Sequence, residues 1–284
     1  MKIVVCIKQV PDITEIKLDP ATGTMIRDGV PSIMNPDDKG GLEMALQLKD
    51  KYGAEVTVIT MGPPQADDIL REAFAMGADR AIHLNDRKFA GADTLATSNA
   101  IAGALRVLDF DLVITGRQAI DGDTAQVGPQ VAEKLALPQV TYAEEIQGCD
   151  GKIVTIKRRL ERGIEVATCP MPCVVTVNGS AAPCRPRNAR FVMKYKNAKG
   201  TQEAQDANED YFALVNERPY LKLTEWSVND IQSNPEDLGL SGSPTKVKNI
   251  ESVVFQAKEA KVLSGTDAEL DAMMKELITN HTIG

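Results

Sequence analysis

Aromatic side chains are scarce in this 284-residue chain, with one Trp, five Tyr and six Phe. That scarcity excludes a site that sandwiches a planar ring between aromatic walls. Any large flat ligand has to be held by backbone, aliphatic side chains and a partner. Long apolar runs are also missing. Ile3–Ile7 is typical of those present, so no segment is expected to span a bilayer. The start, Met1-Lys2 followed by that short run, is not expected to act as a secretory signal. There are two histidines, His83 and His281, far apart in sequence, which argues against a Ser–His–Asp arrangement. Both read as surface or strand-edge residues. The cysteine count is odd, five, without paired spacing, which points to reduced thiols and a cytoplasmic setting. Cys169-Pro170-Met171-Pro172-Cys173 has the wrong spacing for a zinc knuckle or a redox pair, so these two read as core cysteines. No G-x-G-x-x-G follows a strand and no Walker loop occurs. An excess of positive charge is lacking too. With 32 basic and 40 acidic residues the net charge is −8, which argues against a nucleic-acid binder.

What is present alternates. Lys2–Ile7, Glu55–Thr60, Arg80–Leu84 and Asp111–Thr115 are short, rich in Val and Ile, and bounded by Gly, Pro or Asp, as buried parallel strands are. Helical spacing fills the gaps at Asp37–Lys51, around Ile69–Met76 with Gly77 as its C-cap, and at Asp93–Leu108 and Thr124–Leu135. The order predicts an α/β fold with a doubly wound, mostly parallel sheet. Ile13–Asp19 and Thr24–Asp28 read as a hairpin inserted after the first strand. From Val140 strands follow without helices, at Lys152–Arg158, Ile164–Ala167 and Cys173–Val177, predicted to extend the sheet as antiparallel edge strands. Residues Cys184–Gln202 carry Arg185, Arg187, Arg190, Lys194, Lys196 and Lys199 and no acid. Beyond them lies an irregular tail with a final amphipathic helix near Asp267–Asn280, read as an arm that embraces another subunit.

The chemistry-bearing loops sit after strands. Gly116–Gly128 leaves the carboxyl end of a predicted strand, carries three glycines and opens a helix. Small side chains there let an anion approach free N–H groups, aided by the helix dipole. Asp121 and Asp123 would repel a phosphate, so they are expected to turn inward as caps, leaving Thr124 and the following amides to meet it. Asn35-Pro36-Asp37-Asp38 alone is a helix start with Pro in its first turn. Met61-Gly62-Pro63-Pro64 is either a turn or a ligand-lining loop, and Gly91–Thr97 is by itself a good N-cap.

Taken together, Lys2–Asp12, the Asn35-Pro36 helix start, Ala75–Arg80 and Gly116–Asp123 resemble the beta subunit of electron transfer flavoproteins over nearly the whole chain. The resemblance implies an adenine-nucleotide-binding, Rossmann-like α/β domain paired with an alpha subunit that carries its own FAD. The run Asp121–Pro129 and the Gly91–Thr97 turn look like the electron-bifurcating branch. There the beta subunit binds FAD, NADH gives it hydride, and electrons go to ferredoxin or flavodoxin and to an acyl-CoA dehydrogenase-like flavoenzyme. The alternative is the ordinary branch, which holds AMP as a structural ligand. The resemblance implies adenine against Cys6, Met61 and Asn35–Asp38, with Gly62 also cofactor-binding, and the pyrophosphate at Asp123, Thr124, Ala125, Gln126 and Val127. It assigns Gly116, Arg117, Gln118, Ala119, Asp121 and Gly122 to the same loop and sets Asp93, Thr94 and Thr97 near the flavin ring or nicotinamide. NADH oxidation would then belong to the complex, and no residue is singled out as catalytic. Expected boundaries are a binding domain over 1–183, a basic partner-recognition loop over 184–202 with Arg185, Arg187, Arg190 and Lys194 docking a partner, and an arm over 203–284 packing on the alpha subunit. Arg158–Gly163 departs from the family by being unusually basic.

Overall fold

The computed structural model describes residues 1–12, 17–18, 25–26, 31–205, 209–245, 260 and 262–283. Its strands are β1 (Lys2–Cys6), β2 (Gln9–Pro11), β3 (Lys17–Leu18), β4 (Met25–Ile26), β5 (Ser32–Met34), β6 (Glu55–Met61), β7 (Arg80–Leu84), β8 (Leu112–Gly116), β9 (Gln139–Cys149), β10 (Ile153–Leu160), β11 (Gly163–Pro170), β12 (Cys173–Val177) and β13 (Thr224–Trp226). Its α-helices are α1 (Pro36–Tyr52), α2 (Asp67–Met76), α3 (Thr94–Leu105), α4 (Val127–Lys134), α5 (Ala189–Tyr195), α6 (Thr201–Gln205), α7 (Glu209–Glu217) and α8 (Asp267–Thr279).

Nine strands form one sheet in the order β11-β10-β9-β12-β8-β1-β6-β7-β13. Every pairing from β9 to β13 is parallel, and β9-β10 and β10-β11 are antiparallel. The period of two along each strand sorts side chains between two cores. Ile3, Val5, Val56, Val58, Leu112 and Ile114 pack with α1 and α2 on one face. Val4, Ile59, Ile82 and Val113 pack with α3 and α4 on the other. Helices therefore cover both faces, which is why the central strands read as unbroken apolar runs. Pro36 opens α1 where its missing N–H costs nothing, and Gly53 closes it in the left-handed region at φ 67°.

β10 and β11 are the expected antiparallel edge, but Cys173–Val177 is not. It lies between β8 and β9, parallel to both and wholly buried. Its run Cys-Val-Val-Thr-Val lacks polar alternation, the mark of a strand buried on both faces. Charges of the basic hairpin are paired in place: Arg159 and Lys157 with Glu144 of β9, and Arg158 with Glu165 of β11 at 2.7 Å.

The chain divides into two compact units. The first holds Met1–Ile16 and Arg27–Lys248, so the segment expected as an arm from residue 203 contributes β13 to the sheet and Val228, Ile231 and Leu238 to the core. The second holds Lys17–Ile26 and Asn249–Gly284. Its described elements are β3 paired antiparallel with β4, and α8. The rest of the predicted hairpin lies outside the described residues. Among the described residues no helix is long and apolar enough to cross a membrane.

Candidate functional site

After β1 the chain moves outward through β6 and β7, then returns to lay β8 on the other side of β1. Such a reversal opens a crevice at the carboxyl ends of the strands. A cavity of about 1170 Å³ occupies it, lined from Cys6 and Lys8 after β1, Met61–Pro64 after β6, Asn85–Thr97 after β7 and Thr115–Gly128 around the β8–α4 loop. Pockets for drug-sized ligands usually measure roughly 300–1,000 Å³.

Two buried side chains hold the loops in place. The Asn35 side chain, fully buried, donates from Nδ2 to the Gln118 carbonyl at 2.9 Å and accepts the Ile120 N–H at 3.1 Å. Asp38 accepts the Lys8 N–H on one oxygen and the Gly116 N–H on the other, both at 2.9 Å. The start of α1 is thus a brace between the loops after β1 and β8. Asn35, Pro36 and Asp37 do not line the cavity, whereas Asp38 does. A Cβ on Gly116 would overlap Asp38 Oδ1, and one on Gly128 would lie 2.7 Å from Thr176 Cγ2 and 2.8 Å from Thr115 Oγ1. Only glycine lets the loop and the head of α4 sit this close to the strands.

Burial pushes the Asp38 carboxyl up to about 7, despite its hydrogen bonds. A folded-state value above the unfolded one means stability from this group is fully present below about pH 4 and lost as pH rises through about 7. Urea titrations between pH 4 and 8 should show that decline, and Asp38→Asn should flatten it; equal slopes would contradict the assignment. Burial likewise drives Cys6 up to about 12, which keeps it a thiol and removes it as a nucleophile.

The helix α4 begins at Val127, three residues later than expected. Gln126 offers no side-chain cap and no acid lies in the first turn, so the leading amides of α4 remain available to an anion. The aspartates do not cap those amides. Asp121 pairs with Lys8 at 2.7 Å, and Asp123 accepts from Gln118 Nε2 at 2.8 Å and does not line the cavity. The loop's left-handed residues are Asp123 (φ 51°) and Ala125 (φ 53°), not Gly122. Arg117, Gln118, Ala119, Gly122, Thr124, Ala125, Gln126 and Val127 do line the cavity. Across from them, Asp93 caps α3 through Ala96 N–H and accepts from the Thr245 N–H and hydroxyl. Desolvation opposes ionisation there, but these bonds hold the carboxyl below its ordinary value. Thr94 Oγ1 donates to Gln126 Oε1 at 2.8 Å, which ties the two loops into one wall, and Thr97 lines the same wall.

The family model for the electron transfer flavoprotein domain matches residues 22–209. The chain is 46% identical over 276 residues to an electron transfer flavoprotein subunit beta of Clostridium acetobutylicum, covering 97% of this chain and 94% of that one. The chain belongs to the electron transfer flavoprotein beta-subunit family. Subunit CarD of the caffeyl-CoA reductase-Etf complex of Acetobacterium woodii is 49% identical over 249 residues, 87% of this chain and 86% of CarD. Protein FixA of Azorhizobium caulinodans is 41% identical over 288 residues, 98% of this chain and 94% of FixA. Beta subunits of electron transfer flavoproteins serve flavin-associated electron transfer and pair with an alpha subunit.

Against that family background, several cavity residues carried no signal of their own. Lys8, Asn85, Arg87, Gln130 and Thr245 line the wall. Asn85–Arg87 could have been found by the same rule that singled out Gly116, because it leaves the carboxyl end of β7. Thr245 could not, being 152 residues from Asp93 in sequence. His83 is not a surface residue: it is fully buried within the sheet. His281 is exposed.

The basic segment also differs from the loop expected. It contains α5, anchored to α2 by the Phe74–Tyr195 stack at 4.3 Å. Arg185 is engaged within its own chain, at 2.8 Å from both Glu43 and Asp50. Arg187, Arg190 and Lys194 are exposed, the last over the rings of Tyr195 and Tyr220 at 4.7 Å each.

Proposed function

We propose that this chain is the small subunit of an electron-bifurcating electron transfer flavoprotein. In this reading its cavity binds an FAD that takes hydride from NADH and splits the electrons between ferredoxin or flavodoxin and, through the alpha-subunit FAD, an acyl-CoA dehydrogenase-like flavoenzyme in the cytoplasm. The observation that carries it is the cavity's extent. It runs from the uncapped head of α4, past Cys6 and Met61, to Thr94 and Thr97. At about 1170 Å³ it exceeds the roughly 300–1,000 Å³ usual for a drug-sized ligand. The kinship with CarD, a subunit of a caffeyl-CoA reductase-Etf complex, supports the partner class.

Within this reading Thr124–Val127 meet the pyrophosphate, Cys6, Met61 and Asp38 border the adenylate, and Asn35–Asp37 act as the brace behind it. The flavin supplies the hydride and one-electron chemistry; the chain supplies position, dryness and charge. The stripe Leu270, Met274 and Ile278 on α8 is exposed at helical spacing, which supports an arm, here narrowed to residues 249–284, that packs on the alpha subunit. The heterodimer, denatured and assayed for released nucleotides, should yield two FAD per pair, and NADH should bleach it; one FAD with stoichiometric AMP would instead establish the ordinary branch. Reversing Arg187, Arg190 and Lys194 to Glu should slow electron delivery to the flavoenzyme by about tenfold at low salt, less at high salt. NADH oxidation by artificial dyes should not change, and unaltered delivery would remove this surface from the docking site.

A further inference from the structure

His83 is completely buried and its ring is engaged on both sides. Nε2 lies 3.0 Å from the carbonyl oxygen of Gly62, a cavity-lining residue. Nδ1 lies 2.9 Å from Oδ1 of Asp67, the first residue of α2, itself 1% exposed. The other Asp67 oxygen accepts the Gly200 N–H at 3.1 Å. Beside it, Glu225 of β13 accepts the Thr201 N–H at 3.0 Å. A Cβ on Gly200 would overlap Asp67 Oδ2 and stand 2.6 Å from Glu225 Oε1, so the turn is built for glycine. The contacts form one unbroken chain from the cavity wall to the turn that follows α5.

The hydrogen inventory adds a constraint. A carbonyl oxygen only accepts, so Nε2 carries a hydrogen. Both ring nitrogens thus have a polar partner, and a buried hydrogen bond left unmade is costly, so the pair fixes what it touches.

We propose that His83 is a positioning residue for the cavity's ligand. It holds the Gly62 carbonyl, and with it the Met61–Pro64 wall, at a setting fixed by Asp67 and the Gly200 turn. It does not line the cavity, so it acts through Gly62 alone. The inference rests on the reading that the cavity takes a flavin or adenine nucleotide.

The test uses the alpha–beta complex stripped of nucleotide and titrated separately with FAD and with AMP. Selective 15N labelling of histidine should show a hydrogen on His83 Nε2. In Asp67→Asn the amide can donate to Nδ1 while its oxygen keeps the Gly200 N–H. That variant should keep the Nε2 hydrogen and nucleotide affinity within about threefold of the parent. His83→Gln and Gly200→Ala should each raise the nucleotide dissociation constant by about tenfold, the second from a residue outside the cavity. Parental affinity in either folded variant, or a parent ring without a hydrogen on Nε2, overturns the proposal. Should one variant fail to fold, the other decides. Binding of AMP but not FAD by the parent would sink the FAD reading, and the inference would then stand or fall on the AMP constants.

Discussion

If the cavity holds a nucleotide as proposed, valine in place of Gly122 should strip it from this subunit while leaving the fold and the alpha-subunit flavin intact. A Cβ at Gly122 meets nothing within 4 Å, and the residue is not in the left-handed region, so the chain itself tolerates the change. Stability should stay within about 0.5 kcal/mol, as for an exposed substitution. What the larger side chain takes is space along the loop that lines the cavity ahead of the α4 amides. Flavin content of the heterodimer should fall from two to one. Two flavins in the variant would refute the placement of the pyrophosphate.

Gly116→Ala should do the opposite and damage the fold first. The added Cβ would overlap Asp38 Oδ1 and lie 2.8 Å from both Asp37 Cβ and the Asp38 nitrogen. Overpacking costs about 1–3 kcal/mol. Displacing Asp38 also leaves the N–H groups of Lys8 and Gly116 short of an acceptor, at about 1–3 kcal/mol more. These effects share atoms and do not simply add, so the expected loss is about 2–5 kcal/mol, read as a lower urea midpoint with an unchanged slope. A loss under about 1 kcal/mol would mean that the brace is soft.

The layered frame was legible in the residues because its signals are local. Val- and Ile-rich runs mark β1, β6, β7 and β8, helical spacing marks α1–α4, and the glycine after α2 sits at φ 127°, where other residues are rarely found. The Gly116–Gly128 loop was legible for a related reason: a small-residue run leaving a parallel strand and entering a helix is a positional signal. What could not be read depends on distant partners. Asn35 looked like a helix start, yet its side chain is spent on Gln118 and Ile120, 83 and 85 residues away. Asp121 and Asp123 were expected to cap the helix, but Lys8 and Gln118 claim them. Arg185 looked like part of an open basic patch until α1 supplied Glu43 and Asp50. His83 looked unremarkable because its meaning lies in Asp67 and Gly62, which only the turn after β6 brings beside it. β13 is three residues long, too short for any periodicity to show.

The position of β12 has a consequence for the order in which the molecule is assembled. Gly128 at the head of α4 closes against Thr176, and β12 inserts between strands made earlier, β8 and β9. On the ribosome the anion loop therefore emerges about fifty residues before the wall it rests on. The β9–β10–β11 meander can pair locally in that interval, while the slot beside β8 stays vacant. The insertion of β12 is a non-local parallel pairing, the slow kind. A chain stopped before residue 173 would carry most of the cavity-lining residues and still lack the surface that seats them, so the cavity gains that wall only when the sheet's central gap is filled.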